Sequence, residues 1–167
     1  MSGWWLALPI GLSALMAFGI YFWAGRHQKR EQMVLKTTIH PILGEVRHYR
    51  SRWETMSNAP EWGRQITVSG DIAGDYPLEI HVETLKEIQR RYPAFLADCL
   101  VAANEMAKEM GIVLTTKDLC LDSIYLSGDQ PGEFSLFYDI PAYEDKIPWG
   151  ATGQYIDYTL EEFSDNH

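Results

Sequence analysis

Apolar residues fall along this chain in two unlike ways. From Trp4 to Trp23 the run WWLALPIGLSALMAFGIYFW is apolar on every side, and no Asp, Glu, Lys or Arg precedes Arg26. Those twenty residues, at a rise of about 1.5 Å each, span about 30 Å, the hydrocarbon thickness of a bilayer. Trp4 and Trp5 at one end and Tyr21 and Trp23 at the other form the aromatic belt of a spanning helix, because indole and phenol rings favour the headgroup region. A cleaved leader would need a basic start and a shorter apolar core; neither is present. The segment therefore predicts a transmembrane helix over 1–25. Arg26, Lys29, Arg30 and Lys36 follow it, and such flanks stay on the cytoplasmic side. The expectation is a single-pass protein of a bacterial inner membrane, with its N-terminus outside and its C-terminal domain in the cytoplasm.

Beyond a basic juxtamembrane stalk at 26–38, the apolar residues switch to the short periods of a globular domain over 39–167. His40-Pro41 breaks the segment 39–50, and Arg52–Met56 follows as a strand. In RQITVSGD, Ile66 and Val68 alternate with polar neighbours, the period-2 mark of a half-buried strand. Leu78, Ile80 and Val82 alternate again, so 64–70 and 76–82 read as a hairpin. Thr84 and Glu87 have the T-x-x-E spacing of a capping box, which predicts a helix starting there. Pro93 either bends that helix or begins a second one. Phe95, Leu96, Cys99, Leu100, Ala103, Met106, Ala107 and Met110 recur at spacings of three and four, one apolar helical face closed by Gly111. LCLDSIYLSG and EFSLFYDI read as strands about a Gly-Asp-Gln-Pro-Gly turn, and GQYIDYTLEEF as a last strand. Strands without βα alternation argue for an α+β fold: an antiparallel sheet with one or two helices packed on one face, preceded by a single transmembrane helix.

Charge sharpens the division. Residues 1–69 carry eight Lys/Arg against four acids, and residues 70–167 carry six against nineteen, which sum to the net −9 of the chain. So acidic a second half repels phosphate backbones and excludes direct nucleic-acid binding, while it attracts basic proteins. Cys99 and Cys120 show no C-x-x-C spacing and read as small core hydrophobes of a reducing compartment.

The chain contains no H-E-x-x-H pair, no G-x-S-x-G elbow, no Walker loop and no G-x-G-x-x-G, so nothing in it marks an enzyme, a metal site or a cofactor site. Asp71/Asp75 and Glu144/Asp145 lack a companion base and read as turn residues. What remains is a surface: Asp118, Asp122, Asp129, Glu133, Asp139, Glu144 and Asp145 crowd together, with Tyr125, Tyr138, Tyr143 and Trp149 nearby. Aromatics beside acids suit a patch that binds a basic protein. The candidate partner-binding residues are Asp129, Glu133, Glu144, Asp145 and Trp149.

HPILGEV at 40–46, Trp53, a hairpin, a helix and FSLFYD at 134–139 resemble, over roughly 39–160, small bacterial immunity-protein-like α+β domains encoded near polymorphic or contact-dependent toxins. The resemblance implies a domain that binds and blocks a toxin without catalysis. A membrane helix departs from the usual form of that group. The functional expectation is a membrane-anchored, non-enzymatic protein-binding module, with a structural or assembly subunit of a membrane or secretion complex as the alternative.

Overall fold

The computed structural model describes residues 33–73, 76–77, 79–128, 130–141 and 150–165. Among them no helix is long and apolar enough to cross a membrane; the span predicted at 4–23 lies outside the described residues, as does most of the stalk.

Two antiparallel meanders share one sheet. The first consists of β1 (Lys36–His40), β2 (Gly44–His48), β3 (Arg52–Ser57) and β4 (Ile66–Ala73), with the two-residue β5 (Tyr76–Pro77) paired to β4. The second consists of β6 (Cys120–Leu126), β7 (Phe134–Asp139), β8 (Ala151–Ile156) and β9 (Thr159–Asp165). One helix, α1 (Glu79–Ala107), joins them, and the strand order is β1-β2-β3-β4-β6-β7-β8-β9. The class is α+β, but the sheet is mixed rather than antiparallel. β4 and β6 run parallel, with Val68 beside Ile124 and Gly70 beside Leu126. A parallel pair needs a crossover, and the connection that contains α1 supplies it. β1 starts at Lys36 and Leu35 N–H already donates to His48 O, so the first strand takes up the last residues of the segment read as stalk.

The helix departs from expectation at its start. It begins at Glu79, so Ile80 and Val82 are helical and the hairpin partner 76–82 shrinks to β5. Three alternating apolar residues suit either period, and here the helical one wins. Its buried residues His81, Val82, Leu85, Ile88, Tyr92, Phe95, Cys99, Ala103 and Ala107 recur at spacings of three and four, one stripe facing the sheet. Thr84 is consequently no N-cap: it is buried mid-turn, and its hydroxyl accepts the Gly132 N–H at 3.4 Å. Glu87 pairs with Arg90 instead. Pro93 neither ends α1 nor begins a second helix. It sits on the exposed side, where the carbonyl it leaves unbonded can meet water. Gly111, at φ +67°, closes the following 3-10 turn in the left-handed region expected of it.

Alternation fills the layer beneath α1. Val46, Trp53, Ile66, Val68, Leu121, Ile124, Leu126, Phe134, Leu136, Tyr138 and Tyr155 point inward and are buried. Phe134 stacks on Tyr155 at 4.6 Å, and Phe95 of α1 meets both edge-on. Cys99 faces Gly153 of β8, where an added Cβ would come within 2.8 Å of its Sγ. Glycine there lets helix and sheet close on each other.

Candidate partner-binding groove

The described members of the acidic group that crowds together in the sequence, Asp118, Asp122, Glu133 and Asp139, fall among different sets of partners. Asp122 and Asp139 lie on β6 and β7 and share Arg64, at 3.0 and 3.3 Å. Asp118 turns back on its own loop, accepting from the Thr115 hydroxyl and N–H at 2.7 Å each. Those bonds to Thr115 hold its carboxyl below the usual range. Asp71 is a strand residue, not a turn residue, and accepts the Tyr125 hydroxyl at 2.6 Å. Burial, with Asp71 beside it, pushes that phenol up to about 12. Tyr138 is core. Of the five candidate residues, Glu133 is described; Asp129, Glu144, Asp145 and Trp149, like Tyr143, lie outside the described residues.

Glu133 lines a groove of about 370 Å³ on the face of β7–β9 turned away from α1, with Ser127, Ser135, Gln154, Ile156, Glu161 and Glu162. The groove follows from strand geometry. The register places Tyr125, Ser135, Gln154 and Glu162 in one row across β6 to β9, and residues in such a row share a face. Glu161, next in sequence to Glu162, would face the other way in a regular strand. The register shifts between Gln154 and Tyr155, leaving Glu161 without an opposite residue. A bulge of this kind re-aims a side chain, and both carboxylates line the same groove. Ile156, 55% exposed, is an apolar spot beside them.

The β6–β7 loop holds Glu133 in place. At Gly128 (φ +73°) an added Cβ would overlap the Glu133 carboxylate, so the acid lies across a position that only glycine leaves open. His81 anchors that loop from the helix. The Trp53 indole N–H, a donor only, points at His81 Nδ1 at 3.3 Å, so Nε2 carries the proton and donates to the Gly128 carbonyl at 3.0 Å. On the other side Tyr158 N–H donates to Gly132 O, and the Tyr158 ring fills the space a Cβ at Gly132 would take. Tyr158 and Asp157 form the two-residue turn between β8 and β9, both at positive φ, 59° and 50°. GQYIDYTLEEF is therefore a hairpin and not one strand.

Three carboxylates and an exposed isoleucine, with no Lys or Arg among the lining residues, can take up a cationic side chain together with a neighbouring apolar one. Comparison with protein-family models, with curated proteins and with solved structures found no match.

Proposed function

We propose that this chain is a membrane-anchored, non-enzymatic protein-binding module that takes a basic segment of a partner protein into the groove of Glu133, Glu161 and Glu162. The observation that carries the reading is the convergence of those three acids around exposed Ile156. Opposite charge steers the encounter, and the apolar contact holds it once water has left. The immunity-like reading adds the partner's kind, a bacterial toxin that binding would block. On this reading the domain lies in the cytoplasm behind an inner-membrane span, where an entering toxin would meet it.

The test is a pull-down from solubilised membranes, followed by association kinetics with the captured partner. Changing Glu133, Glu161 and Glu162 together to Gln removes two exposed charges and one half-buried one and leaves the fold intact, because carboxylates open to solvent contribute little to stability. The on-rate should fall roughly tenfold at low ionic strength. It should also lose most of its salt dependence as the Debye length shrinks to about 8 Å. Unchanged, salt-insensitive binding by the triple variant would move the interface elsewhere. Binding abolished only by replacing the 4–23 segment would favour the assembly-subunit alternative.

A further inference from the structure

The two edges of the sheet, β1 and β9, pair with no further strand among the described residues and are finished differently. β9 carries Glu161 and Glu162, both exposed, the charged guard that keeps an open edge from pairing with another chain. β1 carries one charge, Lys36 at its start; beyond it Ile39 is 77% exposed, and Met33, Val34, Leu35 and Ile42 on either side of the strand are exposed as well. Five exposed large apolar residues within ten positions are more than scattered surface hydrophobes. Around them the charge is basic. Residues 33–57 hold Lys36, Arg47, Arg50 and Arg52 against Glu45 and Glu54, a net of +2 with Arg47 beside Glu45 and Arg52 beside Glu54, whereas residues 120–165 hold ten acids against Lys146 alone.

We propose that the β1 edge lies on an anionic lipid surface, with Met33, Val34, Leu35, Ile39 and Ile42 entering the headgroup boundary and the basic residues facing lipid phosphates. The proposal rests on the membrane-anchored reading in one respect, the distance. Met33 lies ten positions after Trp23, where the predicted span ends. That length reaches about 15 Å as a helix and at most roughly 35 Å extended, which makes β1 the sheet strand nearest the bilayer in sequence. Charge then sets the orientation: an anionic leaflet attracts the β1–β3 end and repels the β6–β9 end. A second copy is a poorer cover, because pairing β1 with β1 would bring two sets of Lys36, Arg47, Arg50 and Arg52 together. A lipid surface takes apolar and basic groups at once, as interfacial segments do. In this orientation the groove of Glu133, Glu161 and Glu162 stays accessible to a partner arriving from solvent.

The experiment uses the full chain reconstituted in vesicles of phosphatidylcholine alone or mixed with phosphatidylglycerol. An environment-sensitive fluorophore is placed at Ile39→Cys or Ile156→Cys in a Cys120→Ser background, with brominated lipids as quencher. Position 39 should be quenched several-fold more than position 156 in the anionic vesicles. That difference should shrink in phosphatidylcholine, at high salt, and in the Lys36→Gln/Arg47→Gln/Arg50→Gln variant. Equal quenching at the two positions overturns the proposal, as does a concentration-dependent cross-link between copies at position 39. Flotation separates the two readings. Protein that floats with both vesicle types while position 39 stays unquenched keeps the anchor and loses the docked edge. Protein that floats only with anionic vesicles and is released by salt keeps the docked edge and loses the anchor.

Discussion

Trp53 and Tyr155 hold matching positions in the two meanders. Each is a fully buried aromatic carrying a polar tip into the layer beneath α1. Around Trp53 every polar atom of the relay is spoken for: the indole donates to His81, and His81 donates to Gly128 O. Around Tyr155 the arrangement is looser. Its hydroxyl donates to Phe95 O at 3.0 Å and lies 3.2 Å from Cys99 Sγ, while the buried hydroxyl of Tyr138 in the same half sits beside Cys99 and Tyr92 without a well-formed hydrogen bond among the described residues. The first half is thus closed by a fixed chain of donors and acceptors, the second by aromatic packing around a thiol. A wrong atom in a fixed chain orphans its neighbours, whereas packing gives way locally.

Glycines test the contrast most severely. At Gly70 an added Cβ would meet Trp53 Nε1 at 2.9 Å, His81 Nδ1 at 3.0 Å and Leu126 O at 3.0 Å, none of which can move without breaking the relay or the β4–β6 pair. Gly70→Ala should cost about 3 kcal/mol, the upper range for overpacking. At Gly153 the nearest atom is Cys99 Sγ, so Gly153→Ala should cost less, and Cys99→Ala should recover most of the loss. Urea midpoints of the two single variants and the double variant decide it. Equal costs with no rescue would erase the distinction between the halves.

Polar deletions come next in size. His81→Phe keeps a ring of similar size but leaves the Trp53 N–H and the Gly128 carbonyl without partners, at a cost of about 2 kcal/mol. Tyr138→Phe removes a buried hydroxyl that makes no well-formed hydrogen bond among the described residues, so it should be neutral or stabilise by up to about 1 kcal/mol. A destabilised Tyr138→Phe would mean that the second half also depends on its hydroxyl.

These positions also mark what was legible beforehand. The strands from 44 to 70, β6, β7 and the helical stripe from Phe95 to Ala107 follow from periods of two and 3.6. The start of α1 did not, because Leu78, Ile80 and Val82 fit either period and Thr84-x-x-Glu87 mimics a cap inside a helix. His81, placed by alternation on the polar side of a strand, is a buried helical relay; nothing local signals a partner 28 residues away in Trp53. The β8–β9 turn was hidden because a tyrosine at positive φ is disfavoured unless tertiary contacts hold it, and here Gly132 does. The groove depends on that relay and on that turn. Two adjacent glutamates in one unbroken strand point to opposite faces, and only the bulge beyond the unseen turn brings Glu161 and Glu162 together with Glu133.

The smallest effect separates the halves by pH. Burial pushes the Cys99 thiol from 9.0 up to about 11 and the Tyr92 phenol from 10.0 up to about 12, and it also raises Tyr138 and Tyr155. A group whose folded pKa is raised gives up its proton first in the unfolded chain. Its contribution is therefore complete below the unfolded value and is lost as pH rises toward the folded one. Stability should hold up to about pH 9 and then fall, with Cys99 contributing the first part between 9 and 11 and the tyrosines the steeper part above 10. The Trp53 relay contains no thiol or phenol to ionise in this range. In Cys99→Ala the early part of the decline should vanish, a difference in pH dependence on the order of 1 kcal/mol at pH 10, while the tyrosine-driven loss persists. The comparison is of urea midpoints for wild type and Cys99→Ala from neutral pH to about 11. An identical decline in both would mean that the thiol does not ionise earlier in the unfolded chain, and would leave the alkaline loss to the tyrosines alone.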